Sequence, residues 1–562
     1  MYKRSLFICS LIFALALLGA GCDNDCTDCD DTGPNTGLST DLRVAEFEHM
    51  VHMVNKYYGP IEWKNELLGV DILGSADDFI AQIEKVKNDL DYFDLLFGFI
   101  SQFQDGHTGF SIMSSYAAYL AFNVDLYEGK LLIDDIWDPR LNLEIGEELV
   151  SMDGESAADL VARLRKYMPG GFGRCSQRWA TYLVTIRYQP LYPEVVSGDV
   201  DVVVRGLDGT TRTETMTWST QGMPYESGIY TDYLSSGGIN ADHNIWHQLQ
   251  SIELPAQRLE FFTNVGKYGH RAPSFKLPDG FEKRLGKGED ELYSGIYPAG
   301  GKMIGFLRIP TMRNDDSYIV FRQEIRALDS MTDGLVIDIM DNPGGSVDWC
   351  NHMARHLHRE LWPQCLFQVR PTLTMIYDFE EWLNEDYLPP EWQETLEIAI
   401  EKLWEAYLSG ETLTEPISLD FKCKGEMCNP AVDVLGNPIG YSKPIIILIN
   451  ELSISGGDYF PATMQDSGRA KLVGYRTAGG GGHVVGYSQN LPYTESSYSL
   501  TGSLMYRYQA VQPTGYPETH YIENVGVHPD YDYDYQNLDD LLNEGQNYVQ
   551  FFTEIILAEI GD

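Results

Sequence analysis

Basic residues are scarce in this 562-residue chain: 40 Lys and Arg stand against 83 Asp and Glu, a formal net charge of −43. Such a field repels phosphate backbones, which argues against nucleic acid as a partner. It equally opposes docking on anionic lipid through surface charge. The composition, 43% hydrophobic and 22% charged, excludes a polytopic membrane protein, a fibre and a disordered chain. Also missing are long internal repeats, a P-loop, a dinucleotide fingerprint and a Gly-x-Ser-x-Gly elbow. No cofactor is expected. At roughly 100–200 residues per domain, the length implies several domains.

The chain starts with a targeting signal. Lys3 and Arg4 precede an apolar run from Leu6 to Ala20, then Gly21 and Cys22. A basic flank and a short apolar core suit a secretory signal over residues 1–21 better than a membrane span. Leu18-Gly19-Ala20-Gly21-Cys22 resembles a bacterial lipobox, which makes Cys22 a lipidation site; the alternative is ordinary cleavage near Ala20. Residues 22–40 read as a lipidated, flexible tether rich in Asp, Thr, Gly and Asn. The expected location is the bacterial cell envelope. The chain would cross the inner membrane and touch a membrane only through its anchor, facing the periplasm or the exterior. Nothing in the sequence specifies an oligomeric state.

Cysteine is sparse too, at nine residues. Cys22, Cys26 and Cys29 have the spacing of a metal clip, but no second Cys or His pair stands nearby to complete tetrahedral ligation. A tether with a small disulfide is the preferred reading, and no metal is expected. Cys423 and Cys428 are placed to close a short loop in an oxidising compartment.

Apolar residues at Val44, Phe47, Val51 and Val54, then from Phe79 to Ile100, recur at helical spacing, which predicts a helical N-terminal domain over 41–115. Residues 116–220 contain a strand at Leu131–Ile133, another closed by Asp153-Gly154, and a helix from Ala157 to Arg165. This looks like the core of a PDZ-like domain, whose edge takes up an extended peptide. A small β domain that only packs is the alternative. Residues 221–300 read as a linker region with some strands.

From 301 to 540, strand and helix signals alternate. Leu335–Met340 and Ile445–Ile449 are continuous apolar runs, as in a mainly parallel sheet covered on both faces. Sites in such sheets form beyond the carboxyl ends of the strands. Asn342–Gly345 and Asn450–Asp458 fall at two such ends. An insertion at about 367–440 carries a charged helix from Asp378 to Leu408, and a C-terminal helix is placed at 541–562.

A serine directly after a buried strand, at a helix start, has its Oγ at the mouth of the sheet and unpaired N–H groups beside it. Ser455 has this position, followed by Gly456 and Gly457. Gly344 and Gly345 offer a second donor from the neighbouring strand end. On this local chemistry alone, Ser455 as a mere N-cap and Gly344-Gly345 as a mere turn are the simpler reading.

The larger pattern changes that balance. Strand-Asp-x-x-x-Asn-x-Gly-Gly followed by strand-Asn-x-x-Ser-x-Ser-Gly-Gly-Asp resembles the C-terminal processing peptidase family of serine peptidases. Met464–Ala470, Val473-Gly474, Thr477-x-Gly479, Glu523–Asp530 and Asp105–Thr108 resemble further blocks of that family, in the same order. The resemblance implies an α/β fold with a crotonase/ClpP-like catalytic domain, and a serine endopeptidase acting on peptide or protein substrates. It places Ser455, not Ser453, at the nucleophile. It also places Gly480 where one branch carries a general-base lysine, so that mechanism is not expected. The tricorn-like branch instead uses His with a late Glu, and His107 and Glu523 match those positions. Gly456 with Gly344 or Gly345 would form the oxyanion hole. One departure stands out: Gly106 occupies the place of that branch's serine before the histidine. Either a water, Thr108 or another residue then bridges Glu523 to the site, or Glu523 acts less directly, or Asp105 orients His107 instead. The rival base is His483, and His352, His356 and His358 are read as a solvated or packed helix. The alternative function is an inactive peptide- or apolar-ligand-binding lipoprotein on the same fold.

Overall fold

The computed structural model describes residues 37–561, apart from 169, 171–172, 226–271, 287–291, 313–316, 385–387, 421, 424 and 484–486. The expected signal, the expected lipidation site at Cys22, most of the expected tether and much of the 221–300 region lie outside the described residues.

Four helices open the described chain: α1 (Thr40–Tyr57), α2 (Ile61–Leu68), α3 (Ala76–Ile83) and α4 (Asp89–Ser101). The face that α1 buries carries Arg43 and Glu46 beside Phe47, Met50 and Val54. Arg43 pairs with Asp89 at 2.9 Å, and Glu46 accepts the N–H groups of Tyr493 and Thr494. Buried charges of this kind persist because each has a partner. The single helical pattern read from Phe79 to Ile100 is broken at 84–88. There Asn88 starts α4 by accepting the Asp91 N–H at 2.8 Å, a local bond that competes with helix continuation.

A six-stranded antiparallel sheet follows. It includes Phe122–Tyr127, Lys130–Ile136, Glu148–Met152, Asp199–Arg205 and Thr211–Thr217. Two helices accompany it, α5 (Ala157–Leu164) and α6 (Arg174–Thr185). Ser156 caps α5, and the buried Leu160, Val161 and Leu164 turn one side of the helix inward.

The central sheet has seven strands, in the order Glu282–Leu285, Tyr293–Ala299, Lys302–Arg308, Gly334–Asp338, Ile445–Ile449, Lys471–Gly474 and Tyr531–Asp532. The first two pairings are antiparallel and the other four parallel. Two of these strands come from the 221–300 stretch, read as a linker region with some strands, and they join the central sheet. Alternation divides the sheet's core. Ile337, Ile445, Ile447 and Ile449 pack with Phe321, Trp349, Tyr459 and Phe460, while Val336, Ile446 and Leu448 pack with Phe552 and Ile556 of the Gln546–Ile560 helix. Both faces are thus covered, which is why these strands read as unbroken apolar runs.

The insertion carries two helices, Leu373–Leu383 and Pro390–Ser409, rather than one. Pro389 and Pro390 account for the interruption, since proline lacks the N–H a helix interior needs. Cys423 and Cys428 form a disulfide, and Cys175, Cys350 and Cys365 are buried free thiols.

Candidate active site

Gly334–Asp338 and Ile445–Ile449 run parallel, with Asp338 opposite Leu448, so their following loops meet at one end of the sheet. Asn450 and Asp341 lock the two loops together. Asn450 Nδ2 donates to Asp341 Oδ1 at 2.7 Å, and the Asp341 N–H donates to Asn450 Oδ1 at 2.9 Å. The Ile454 N–H then donates to the Asn342 carbonyl at 2.9 Å.

Between Glu451 and Met464, Ser455 is the single residue that is not fully buried. It precedes the Gly456–Asp466 helix with φ 61° and ψ −112°. A positive φ is uncommon in a residue with a Cβ, and strain of this kind collects at functional sites. Ser453 is unsuited to nucleophilic attack, because it is fully buried and its hydroxyl donates to the Ile339 carbonyl at 2.8 Å.

Asp458 holds the serine in this conformation. Its carboxylate accepts the N–H of Ser455 at 2.8 Å, of Gly479 at 3.0 Å and of Gly480 at 3.1 Å, together with the Thr477 hydroxyl. Burial pushes the Asp458 carboxyl up to about 6, against the pull of those four donors. In the sequence, Asp458 stands within the nucleophile block with no role of its own. Its helix position, three residues after the serine, was the available signal.

The glycine pair lies against the serine. A Cβ on Gly344, at φ +86°, would stand 2.6 Å from both Gly456 N and Ser455 Cβ, so no side chain fits there. A Cβ on Gly456 would stand 3.1 Å from Gly345 N. The Gly344 N–H itself donates to Asn342 Oδ1 at 2.8 Å. It is therefore committed elsewhere, and Gly345 is left as the partner for Gly456 in offering N–H groups beside Ser455.

His107 reaches the same place from the loop after α4. It is partly exposed, and its Cε1 would lie 3.4 Å from a Cβ on Gly480, whose N–H is bound by the carboxylate that also binds Ser455. Asp105 fixes the main chain here: its Oδ1 accepts the His107 N–H at 2.8 Å. Tyr58, Thr108 and Thr501 donate their hydroxyls to the same carboxylate. Burial alone would raise the Asp105 carboxyl, but Lys64, His107 and these donors hold it below its ordinary value.

Glu523 is fully buried on the far side of the glycine run. A Cβ on Gly481 would stand 2.4 Å from Glu523 N. Its Oε1 accepts from Lys64, a residue that no sequence motif marks. Burial raises the Glu523 carboxyl to about 8, with Lys64 opposing. Thr108 does not link it to His107, since its hydroxyl is given to Asp105. The His483 side chain lies outside the described residues.

Ile454 explains two glycines at once. A Cβ on Gly106 would lie 2.6 Å from Ile454 Cδ1, and one on Gly480 would lie 2.4 Å from Ile454 Cγ1. The isoleucine fills the space that a serine before His107, or a lysine at 480, would require. The three histidines of the Val347–Leu357 region are packed. His352 and His356 have ring centroids 4.9 Å apart, and the His358 ring contacts the Ala354 carbonyl and the Ser467 hydroxyl at 2.8 Å each.

The chain is a serine peptidase on a mixed α/β fold. More particularly, residues 303–533 match Peptidase family S41, and the chain carries a domain of that family, the C-terminal processing peptidases. A protein of Chlamydia trachomatis serovar D is 26% identical over 558 residues, covering 87% of this chain and 88% of its own. A Chlamydia muridarum protein is 27% identical over 549 residues, covering 86% and 87%. Among solved structures, mature CPAF has the same fold, with a TM-score of 0.75 at 24% identity, over 93% of this chain and 98% of that one.

Proposed function

We propose that this chain cleaves peptide or protein substrates through an acyl-enzyme on Ser455. His107 takes the Ser455 Oγ proton as Oγ bonds to the scissile carbonyl carbon. It then gives that proton to the amine as the C–N bond breaks. A water, deprotonated by His107, next attacks the ester and frees the serine. The N–H groups of Gly456 and Gly345 receive the oxyanion, a contribution of about 2.7–4 kcal/mol for each such donor. Glu523 supplies the carboxylate that steadies the positive charge on His107. The observation that carries this reading is the conformation of Ser455: a partly exposed hydroxyl at positive φ, in an otherwise buried loop.

In finer terms, the central sheet is read as a crotonase/ClpP-like core and the six-stranded sheet as a PDZ-like module. The enzyme is read as a lipoprotein of the bacterial cell envelope, anchored at Cys22. Among the described residues no helix is long and apolar enough to cross a membrane. The inactive binding protein is not favoured.

The test is peptide hydrolysis and fluorophosphonate labelling of purified wild type and Ser455→Ala. Labelling and hydrolysis are expected in the first and neither in the second. Equal hydrolysis by both would overturn the assignment. For the anchor, fatty-acid labelling in cells should vanish in Cys22→Ser.

A further inference from the structure

Lys64 lies on α2, 459 residues before Glu523, and is fully buried. Its ammonium donates to Glu523 Oε1, to Asn524 Oδ1 at 2.5 Å and to the Gln104 carbonyl at 3.1 Å. The preceding residue, Trp63, donates its indole N–H to the Glu523 carbonyl at 2.9 Å. Two adjacent residues of one short helix thus grip the side chain and the main chain of the same glutamate. A buried ion pair is expensive to desolvate, and well-packed apolar residues in place of the whole pair often serve stability at least as well.

We propose that Lys64 is a positioning residue of the peptidase site, orienting the Glu523 carboxylate from the N-terminal helices so that the site is complete only with α2 docked. This rests on the Ser455–His107–Glu523 reading and deepens it. The charged groups that act most strongly on the Glu523 carboxyl are Lys64 on α2, Asp105 before His107 and Asp458 on the Gly456–Asp466 helix, and Glu523 in turn acts on Tyr58 after α1. Of these, Lys64 alone attracts negative charge, and it is also the largest attraction on Asp105, ahead of His107. Neutralising it leaves Glu523 and Asp105 without their shared counter-charge. Both carboxyls then ionise only at higher pH.

The experiment measures fluorophosphonate labelling rates from pH 5 to 9 on the full chain. The proteins are wild type, Ser455→Ala, Lys64→Met, Lys64→Arg, Glu523→Gln and the Lys64→Met/Glu523→Gln pair, each with a melting curve. Lys64→Met is expected to label more slowly, with its acid limb moved up by about 1–3 on the pH scale, the effect of losing an adjacent opposite charge. Lys64→Arg should keep the wild-type midpoint at reduced rate. The double variant should label no more slowly than Glu523→Gln alone, because the two residues act as a unit. A folded Lys64→Met with wild-type rate and midpoint overturns the role of Lys64 while leaving Ser455 as nucleophile. If Lys64→Met does not fold, the double variant decides. Folded with wild-type labelling, it overturns the proposal; folded and as slow as Glu523→Gln, it supports it; unfolded as well, it makes Lys64 a structural residue and the proposal falls. Labelling of Ser455→Ala at the wild-type rate would instead remove the underlying reading, and the role of Lys64 with it.

Discussion

The N–H of Ser455 donates to Asp458 Oδ2 at 2.8 Å, and this bond ties the strained serine to the glycine run that borders His107. An amide in place of the carboxylate keeps one acceptor oxygen and sets an NH2 against N–H donors. Asp458→Asn is therefore expected to lower kcat, on the order of 100-fold, with a smaller change in KM. It is also expected to destabilise the fold by about 1–3 kcal/mol, the cost of unsatisfied buried donors. Steady-state kinetics and thermal melting check both. Unchanged kcat in a folded variant would show that the serine's conformation is maintained elsewhere.

Gly344 has room for no side chain. Ala at this position would meet Gly456 N and Ser455 Cβ at 2.6 Å and would sit at φ +86°. Gly344→Ala should push the Asn342–Gly345 loop away from the serine and lose one oxyanion donor, a fall of about 100- to 1,000-fold in kcat. Substrate affinity should change less. A variant with wild-type kcat would remove this loop from the oxyanion hole.

Ile454 and Gly106 compete for one volume. Gly106→Ser places a Cβ 2.6 Å from Ile454 Cδ1, so it should destabilise the protein by about 1–3 kcal/mol, the usual cost of overpacking. Ile454→Ala alone leaves a cavity and should cost about 2–5 kcal/mol. Together the two should cost less than their sum by more than about 0.5 kcal/mol, since residues in contact couple. Denaturant melts of the four proteins measure this. Strict additivity would mean that the serine finds another path.

How far the sequence foretold this follows from where the information lies. Ile445–Ile449 and Leu335–Ile337 announced a doubly covered sheet because burial on both faces leaves no polar position in the strand. Ser455, His107 and Glu523 stood out as candidates through their surrounding blocks. Lys64 was not: its neighbours Trp63 and Asn65 form no block, and only folding brings it to Glu523. The strands Glu282–Leu285 and Tyr293–Ala299 were foreseen only as unplaced strands within a linker region, because neither is a continuous apolar run. The break between α3 and α4 was missed because Val86 keeps the helical spacing across a gap that Asn88 creates.

Stability and activity should respond to pH in opposite directions. Burial is the first cause that raises Glu523 to about 8, Asp134 to about 8 and Asp458 to about 6. For Asp134 the next cause is Asp125. Each is a carboxyl whose folded value exceeds its unfolded value near 4. Between those values the unfolded chain releases a proton that the folded chain keeps, so each contribution is complete below about pH 4 and is lost as pH rises through 6 to 8. Asp105, held low, has the opposite sign, and its contribution is lost only in acid. The melting temperature should therefore fall from pH 5 to pH 9, while labelling of Ser455 rises as Glu523 deprotonates. Asp134→Asn isolates the first effect, because Asp134 lies on the Lys130–Ile136 strand of the six-stranded sheet, where an amide retains the acceptor for Asn123 Nδ2 at 3.0 Å. That variant should flatten the fall in melting temperature and leave the labelling profile in place. A melting temperature that climbs over this range, or an unchanged slope in Asp134→Asn, would show that these carboxyls ionise in the folded protein at ordinary pH.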